Sequence, residues 1–181
     1  MLLAAPPRLP VAEAATEAPL PAPHITGHFT LSTVDGRTVT EENYRGKWLL
    51  IYFGYTSCPD SCPLTLNGIG IALDKLGPLA EKVQPLFVTV DPERDTVAVM
   101  TEYLKSFDPR IVGLSGTQAQ IAAAARQFHV YVRARQLGNG EYTVDHSSFL
   151  YVIAPDGSFA KLLTADLPGH QLAEELRQLV H

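Results

Sequence analysis

Cys58 and Cys62 are the only cysteines in the chain, four residues apart in GYTSCPDSCPLTL. A thiolate is both a nucleophile and a soft metal ligand, so a close pair can be reduced, oxidised to a disulfide, or metallated. In a helix, residues four apart stand one above the other on one face, with Cα atoms about 6 Å apart. That separation falls within the range of about 4.4–6.8 Å that suits a disulfide, and it also lets two sulfurs share one ion. The segment joins the apolar run KWLLIYFGY to a helical stretch. Both cysteines are therefore expected at the carboxyl end of a buried strand and in the first turn of a helix, where open α/β sheets place their sites and where the helix dipole favours thiolate over thiol. Pro59 suits that first turn, and Pro63 is tolerable only if it too lies close to the start. Cysteine pairs also occur as inert core residues. The flanking prolines and the intervening Asp60 make a poor core environment and a good site.

Six histidines are available as partners. His24, His28 and His181 lie at or near the chain ends and read as solvated residues. For His129, at a helix end, and His170, near the start of the last helix, surface or capping roles suffice. His146 differs, because it stands in VDHSSFLYVIAP at the entrance of an apolar strand, where an imidazole can serve as ligand or base. A cysteine nucleophile with a histidine base would need only one of the two thiols. A peroxidatic cysteine expects a Pro-x-x-x-Thr-x-x-Cys setting, which the residues before Cys58 lack, and a structural zinc site would normally need a fourth ligand.

The elements that must position these residues follow from periodicity. FTLSTVDGRTV reads as an N-terminal β-hairpin around Asp35-Gly36, and KWLLIYFGY as a strand buried on both faces in the middle of a sheet. A helix from Leu64 carries Leu66, Ile69, Leu73 and Leu76 at helical spacing, and Gly77-Pro78 ends it. VQPLFVTV is a second buried strand, followed by a helix from about Thr96 to Phe107 and a short IVGL strand. Thr117 caps a third helix reaching Phe128. After VYVRARQL and a Gly138-Asn139-Gly140 turn, SFLYVIA and SFAKLL form a hairpin around Pro155-Asp156-Gly157, and a helix from about Gly169 to Val180 closes the chain. This alternation predicts a three-layer α/β sandwich, its mixed central sheet flanked by helices.

The 181 residues are 46% hydrophobic and 18% charged, which fits one globular domain and excludes a disordered chain. Residues 1–24 are rich in alanine and proline without apolar periodicity, and are expected to be a disordered tether ahead of a domain over 25–181. With 14 Lys and Arg against 19 Asp and Glu, the formal charge of -5 leaves no cationic excess for a phosphate backbone, so nucleic acid is not an expected partner. No run approaches the about 18 apolar residues of a membrane span.

Together, GYTSCPDSCP, VTVDPERDT and VDHSSFLYVIAPDG, in that order, resemble the Sco/SenC family of copper-binding, thioredoxin-like proteins over about Phe29 to His181. The resemblance implies a mononuclear copper site made from Cys58, Cys62 and His146, holding one Cu(I) or Cu(II) per chain. It further implies a part in assembling the copper A centre of cytochrome c oxidase. The partner would be the copper A domain of subunit II, with another periplasmic copper chaperone as a second partner. The implied location is the periplasmic side of the bacterial inner membrane, through an anchor missing from this chain, or the mitochondrial intermembrane space. The chemistry agrees, since thiolates select Cu(I) and an imidazole makes the set acceptable to Cu(II). Thioredoxins use Cys-x-x-Cys faced by a cis-proline. Here the spacing is one residue longer and His146-Ser147 occupies that region, which favours metal handling over broad disulfide exchange. The alternative function is a thiol-disulfide oxidoreductase that reduces the cysteines of the copper A site, or a redox sensor, with Cys58 and Cys62 as the redox-active pair. Neither reading makes the chain a conventional enzyme. VDPERDT is expected to be structural, with Asp95 and Thr96 as capping residues and Arg94 pairing locally. Asp60 and Asp145 are expected to shape the loops near the metal without binding it.

Overall fold

The computed structural model describes residues 25–180. The predicted tether, His24 and His181 lie outside the described residues. Among the described residues, nine strands and four α-helices follow in the expected alternation. β1 (Thr30–Thr33) and β2 (Thr38–Thr40) form the N-terminal hairpin, and β3 (Trp48–Gly54) leads into α1 (Ser61–Leu76). β4 (Val83–Thr89), α2 (Val97–Leu104), β5 (Val112–Ser115) and α3 (Gln118–Gln127) come next. Two hairpins follow, β6 (Val132–Gly138) with β7 (Glu141–His146) and β8 (Phe149–Ile153) with β9 (Phe159–Thr164), before α4 (Gly169–Arg177).

The main sheet has seven strands in the order β2-β1-β5-β4-β3-β8-β9. β3 is parallel to β4 and antiparallel to β8, so the sheet is mixed and the strand leading to the cysteines lies inside it. Alternate side chains of β3 point to opposite faces. Tyr52 meets Phe87 on one face, where Tyr103 of α2 also stacks on Phe87 and α1 packs against α4. Phe53 meets Phe128 and Tyr151 on the other, beside the end of α3. The predicted three-layer arrangement with its mixed sheet is thus present.

Helix α1 begins at Ser61, after its N-cap Asp60, and buries Leu66, Ile69, Leu73 and Leu76, the periodic residues of the sequence. Cys62 lies in its first turn, whereas Cys58 lies outside the helix, in the turn after β3, with its N–H donating to the Tyr55 carbonyl at 3.3 Å. The expectation of two cysteines stacked within one helix is corrected accordingly. The reason is Pro63, whose missing N–H is harmless only among the first four helical residues. A helix that included Cys58 would have placed Pro63 beyond them, and Pro59 also biases Cys58 away from helical backbone.

β6 and β7 form a two-stranded ribbon apart from the main sheet. Its tip is Asn139-Gly140, with φ of 54° and 79°, the positive values that a tight two-residue hairpin turn demands. His146 is the last residue of β7 and pairs with Val132, so it ends a strand, three residues before the start of the apolar strand β8 that the sequence placed after it.

Candidate metal and dithiol centre

Three separate segments converge at the carboxyl end of β3. Cys62 is fully buried, and its Sγ lies 3.8 Å from Nε2 of His146. The His146 Nδ1 sits 2.9 Å from the Ser147 carbonyl oxygen. A carbonyl only accepts, so Nδ1–H is the donor, and in the neutral ring this leaves the Nε2 lone pair facing the sulfur. Tyr52 and Tyr55 present ring contacts at 6.2 and 5.8 Å to the imidazole, both edge-on, and fix its plane.

Cys58 is half-buried and its Sγ lies 3.3 Å from Ser61 Oγ. Both cysteines are free thiols. A hydrogen bond between the two sulfurs, with Cys62 donating, holds the Cys58 thiol well below its usual range, and Ser61 adds to this. The same bond, together with burial, pushes Cys62 upward. The pair is therefore asymmetric, with an accessible thiolate at Cys58 and a buried thiol at Cys62. Among the described residues, no three His, Cys, Asp or Glu side chains are already gathered closely enough to hold a metal ion. The donor set nevertheless fits a soft ion, with two sulfurs and one imidazole whose free nitrogen points at one of them.

The surroundings of Cys62 leave no slack. Its Sγ accepts a hydrogen bond from the Tyr52 hydroxyl at 3.4 Å. A Cβ placed on Gly54 would lie 2.9 Å from that sulfur and 2.8 Å from the Phe87 ring, so only glycine fits beside it. Asp95, fully buried, holds the turn before Cys58. Its carboxylate accepts from Thr56 N at 3.0 Å, Thr56 Oγ1 at 2.5 Å and Thr89 Oγ1 at 2.6 Å. The expected capping role belongs to Thr96 alone, which accepts from Val99 N at the start of α2.

The neighbouring residues of VDPERDT hold the ribbon instead. Arg94 pairs with Asp91 at 2.5 Å, donates to the Tyr142 carbonyl at 2.8 Å, and stacks 3.8 Å above the Tyr142 ring. The Tyr142 hydroxyl returns to Asp91 at 2.8 Å. Arg94 thus pairs locally, as expected, while also reaching across to β7. Asp60 caps α1 without a side-chain bond, and Asp145 pairs with Arg135 at 3.2 Å on the exposed face of the ribbon. His28 pairs with Glu41 at 2.5 Å, far along the chain from the site, and His129 follows α3 with φ of 53°. His170 lines a groove of about 660 Å³ that runs from Asp60 and Ser61 past Leu64 and Ile71.

Sequence reasoning missed Tyr52 and Gly54 and misread Asp95. The signal for the first two was present: a hydroxyl-bearing residue and a glycine two positions apart, hence on one face, at the end of an otherwise apolar strand.

A mixed sheet flanked by helices, with a strand-to-helix dithiol facing an imidazole, defines a thioredoxin-like protein with a metal-capable centre. The chain belongs to the SCO1/SenC family, whose model matches residues 17–181. It is 43% identical over 138 residues to the mitochondrial Protein SCO1 homolog 1 of Arabidopsis thaliana, an alignment covering 76% of this chain and 41% of that protein. It is 41% identical over 155 residues to the mitochondrial Protein SCO2 homolog of Bos taurus, covering 84% and 58%. The chain therefore spans only about half the length of these relatives. Among solved structures, copper-bound ScoI of Bradyrhizobium japonicum superposes with a TM-score of 0.78 at 41% identity, covering 85% of this chain and 98% of that one. Copper-bound yeast Sco1 gives 0.80 at 37% identity, covering 87% and 89%. Relatives thus occur in both mitochondria and bacteria. Among the described residues, no helix is long and apolar enough to cross a membrane.

Proposed function

We propose that the chain is a copper metallochaperone that carries one ion, as Cu(I) or Cu(II), on Cys58 Sγ, Cys62 Sγ and His146 Nε2. The observation that carries this reading is the Cys62 sulfur 3.8 Å from an imidazole nitrogen whose ring partner is tied to the Ser147 carbonyl. Closing three donors around an ion calls for Cys58 to swing toward His146. The turn that bears it, outside both β3 and α1, is the part of the site free to do so. Three protein ligands leave copper an open position through which a partner's donor atoms can take the ion by ligand exchange. The receiving partner in this reading is the copper A domain of cytochrome c oxidase subunit II, approached through the Cys58 face. Another periplasmic copper chaperone is the candidate donor. Residues 1–24 serve as the tether to an anchor on the periplasmic side of the bacterial inner membrane.

Support comes from the donor chemistry and from two copper-bound relatives above 35% identity. The test is an anaerobic Cu(I) titration of reduced protein against a competing chelator, for the parent and for Cys58→Ala, Cys62→Ala and His146→Ala. One tight equivalent, lost with either cysteine variant, is the expected result. His146→Ala is expected to lose Cu(II) retention while keeping its dithiol chemistry. Weak or absent binding by well-folded parent protein overturns the reading.

The asymmetry of the two thiols favours a second reading, a thiol-disulfide reductase for the partner's cysteines. The Cys58 thiolate would attack a partner disulfide, forming a mixed disulfide and releasing one partner thiolate. Cys62, on losing its proton, would then attack Cys58 Sγ, leaving a Cys58–Cys62 disulfide and a reduced partner. Preserved activity in His146→Ala separates this reading from the first.

A further inference from the structure

The buried sulfur of Cys62 has one hydrogen-bond donor that is neither a site ligand nor a backbone group. We propose that the Tyr52 hydroxyl is a positioning group that holds the Cys62 sulfur by donating a hydrogen bond to it, and thereby favours the reduced and metal-bound forms over the disulfide. The inference deepens the reading above and rests on its assignment of Cys62 to the centre.

The geometry is specific. Tyr52 is fully buried in β3, its oxygen lies 3.4 Å from Cys62 Sγ, and its ring meets His146 edge-on at 6.2 Å. It touches both the sulfur and the imidazole. Gly54, two residues on and on the same face, borders the sulfur at a distance that admits no methyl group. The Tyr52 hydroxyl is buried and donates to the sulfur. The reduced pair shares one negative charge between its two sulfurs and a metal-bound sulfur is likewise negative, so either accepts such a bond more strongly than a neutral disulfide sulfur does, because charge-assisted bonds are about twice as strong as neutral ones. In a site closed to water nothing else replaces it.

A nearby residue provides the control. The Tyr103 hydroxyl is also buried, next to the same Phe87 ring, and has no hydrogen-bond partner among the described residues. Tyr103→Phe removes a buried phenol oxygen without removing a bond to sulfur.

The experiment equilibrates the metal-free chain with mixtures of reduced and oxidised glutathione, which supply and accept the two electrons and two protons of the Cys58–Cys62 couple. The reduced fraction is then read by alkylation and mass. Tyr52→Phe is expected to shift the equilibrium constant toward the disulfide by about five- to tenfold, which is about 20–30 mV at roughly 30 mV per tenfold for two electrons. Tyr103→Phe is expected to leave it in place. In the copper-loaded chain, Tyr52→Phe is expected to move the sulfur-to-Cu(II) charge-transfer band to lower energy, because the sulfur loses a withdrawing bond. Thermal unfolding of both variants checks that each is folded. Folded Tyr52→Phe protein with parent-like redox equilibrium and absorption band overturns the proposal, as does an equal shift in Tyr103→Phe. Parent protein whose cysteines neither pair nor bind copper overturns the function proposed above and this inference with it. A parent that does both, with an unshifted Tyr52→Phe, overturns the inference alone.

Discussion

Replacing Gly54 by alanine sets two effects of opposite sign against each other, and the distances decide between them. Gly54 is not among the residues with positive φ, so alanine is compatible with the backbone and would reduce the entropy of the unfolded chain, a gain of about 0.4–1 kcal/mol. The new methyl group, however, would sit 2.8 Å from Phe87, 2.9 Å from Cys62 Sγ and 3.1 Å from the Tyr52 ring. All three neighbours are fully buried parts of the same core. None is the free end of a flexible side chain, so relief requires movement of packed groups, and overpacking of this kind costs about 1–3 kcal/mol. Net destabilisation of about 1–2 kcal/mol follows, or about 2–8 °C in melting temperature at the roughly 2–4 °C per kcal/mol of chains this size. The cheapest escape is for Cys62 to rotate away, which breaks its approach to His146 and exposes a sulfur that is otherwise closed to solvent. Thermal unfolding of reduced Gly54→Ala, with native-state alkylation of Cys62, tests both parts. An unchanged or raised melting temperature with Cys62 still protected would refute the argument that this sulfur occupies a socket with no spare room.

Two further outcomes follow from the same surroundings. Asp95→Ala strips the acceptor from Thr56 N, Thr56 Oγ1 and Thr89 Oγ1 at once, and three donors, two on half-buried Thr56 and one on buried Thr89, losing a charged partner should cost about 3 kcal/mol. Calorimetry should show a melting temperature lower by about 6–12 °C, and a loss below 1 kcal/mol would mean that the cysteine turn does not depend on this carboxylate. Cys58, held below its usual range by Cys62 and Ser61, should react with iodoacetamide at a rate that is already level at neutral pH and falls only in acid. A rate still rising between pH 7 and 9, as for a free thiol of pKa about 8.5, would remove the asymmetry on which the reductase reading stands.

The local elements were legible because their signals are local. The continuous apolar run of β3, the 3-4 spacing of Leu66, Ile69, Leu73 and Leu76, the Thr117 cap and the Asp35-Gly36 turn each depend on residues within one or two turns of chain. The helix start went wrong by a few residues, because Pro59 and Pro63 each allow a start and only their joint constraint excludes Cys58. Asp95 was misread for a different reason. Its neighbour Thr96 does cap α2, so a capping role for both was sufficient on the page of the sequence, whereas its actual partner Thr56 lies 39 residues earlier and is reached only through the pairing of β3 with β4. The proposed set of Cys58, Cys62 and His146 was named by family resemblance; spacing could bring Cys58 and Cys62 together, but nothing local related either to His146, 84 residues beyond Cys62.

That long-range relation has a physical carrier, the segment VDPERDT. At one end, Asp95 grips Thr56, two residues before Cys58. At the other, Asp91 and Arg94 grip Tyr142, four residues before His146, while Tyr55 Oη meets Thr143 Oγ1 at 3.0 Å to join the two halves directly. The ribbon that ends in His146 is hydrogen-bonded to no strand of the main sheet, and β6 is exposed along its whole length, so sheet pairing does not set its position. The loop VDPERDT thus contributes to the approach of imidazole to sulfur without touching either, alongside the Tyr55–Thr143 bond and the ring contacts of Tyr52 and Tyr55.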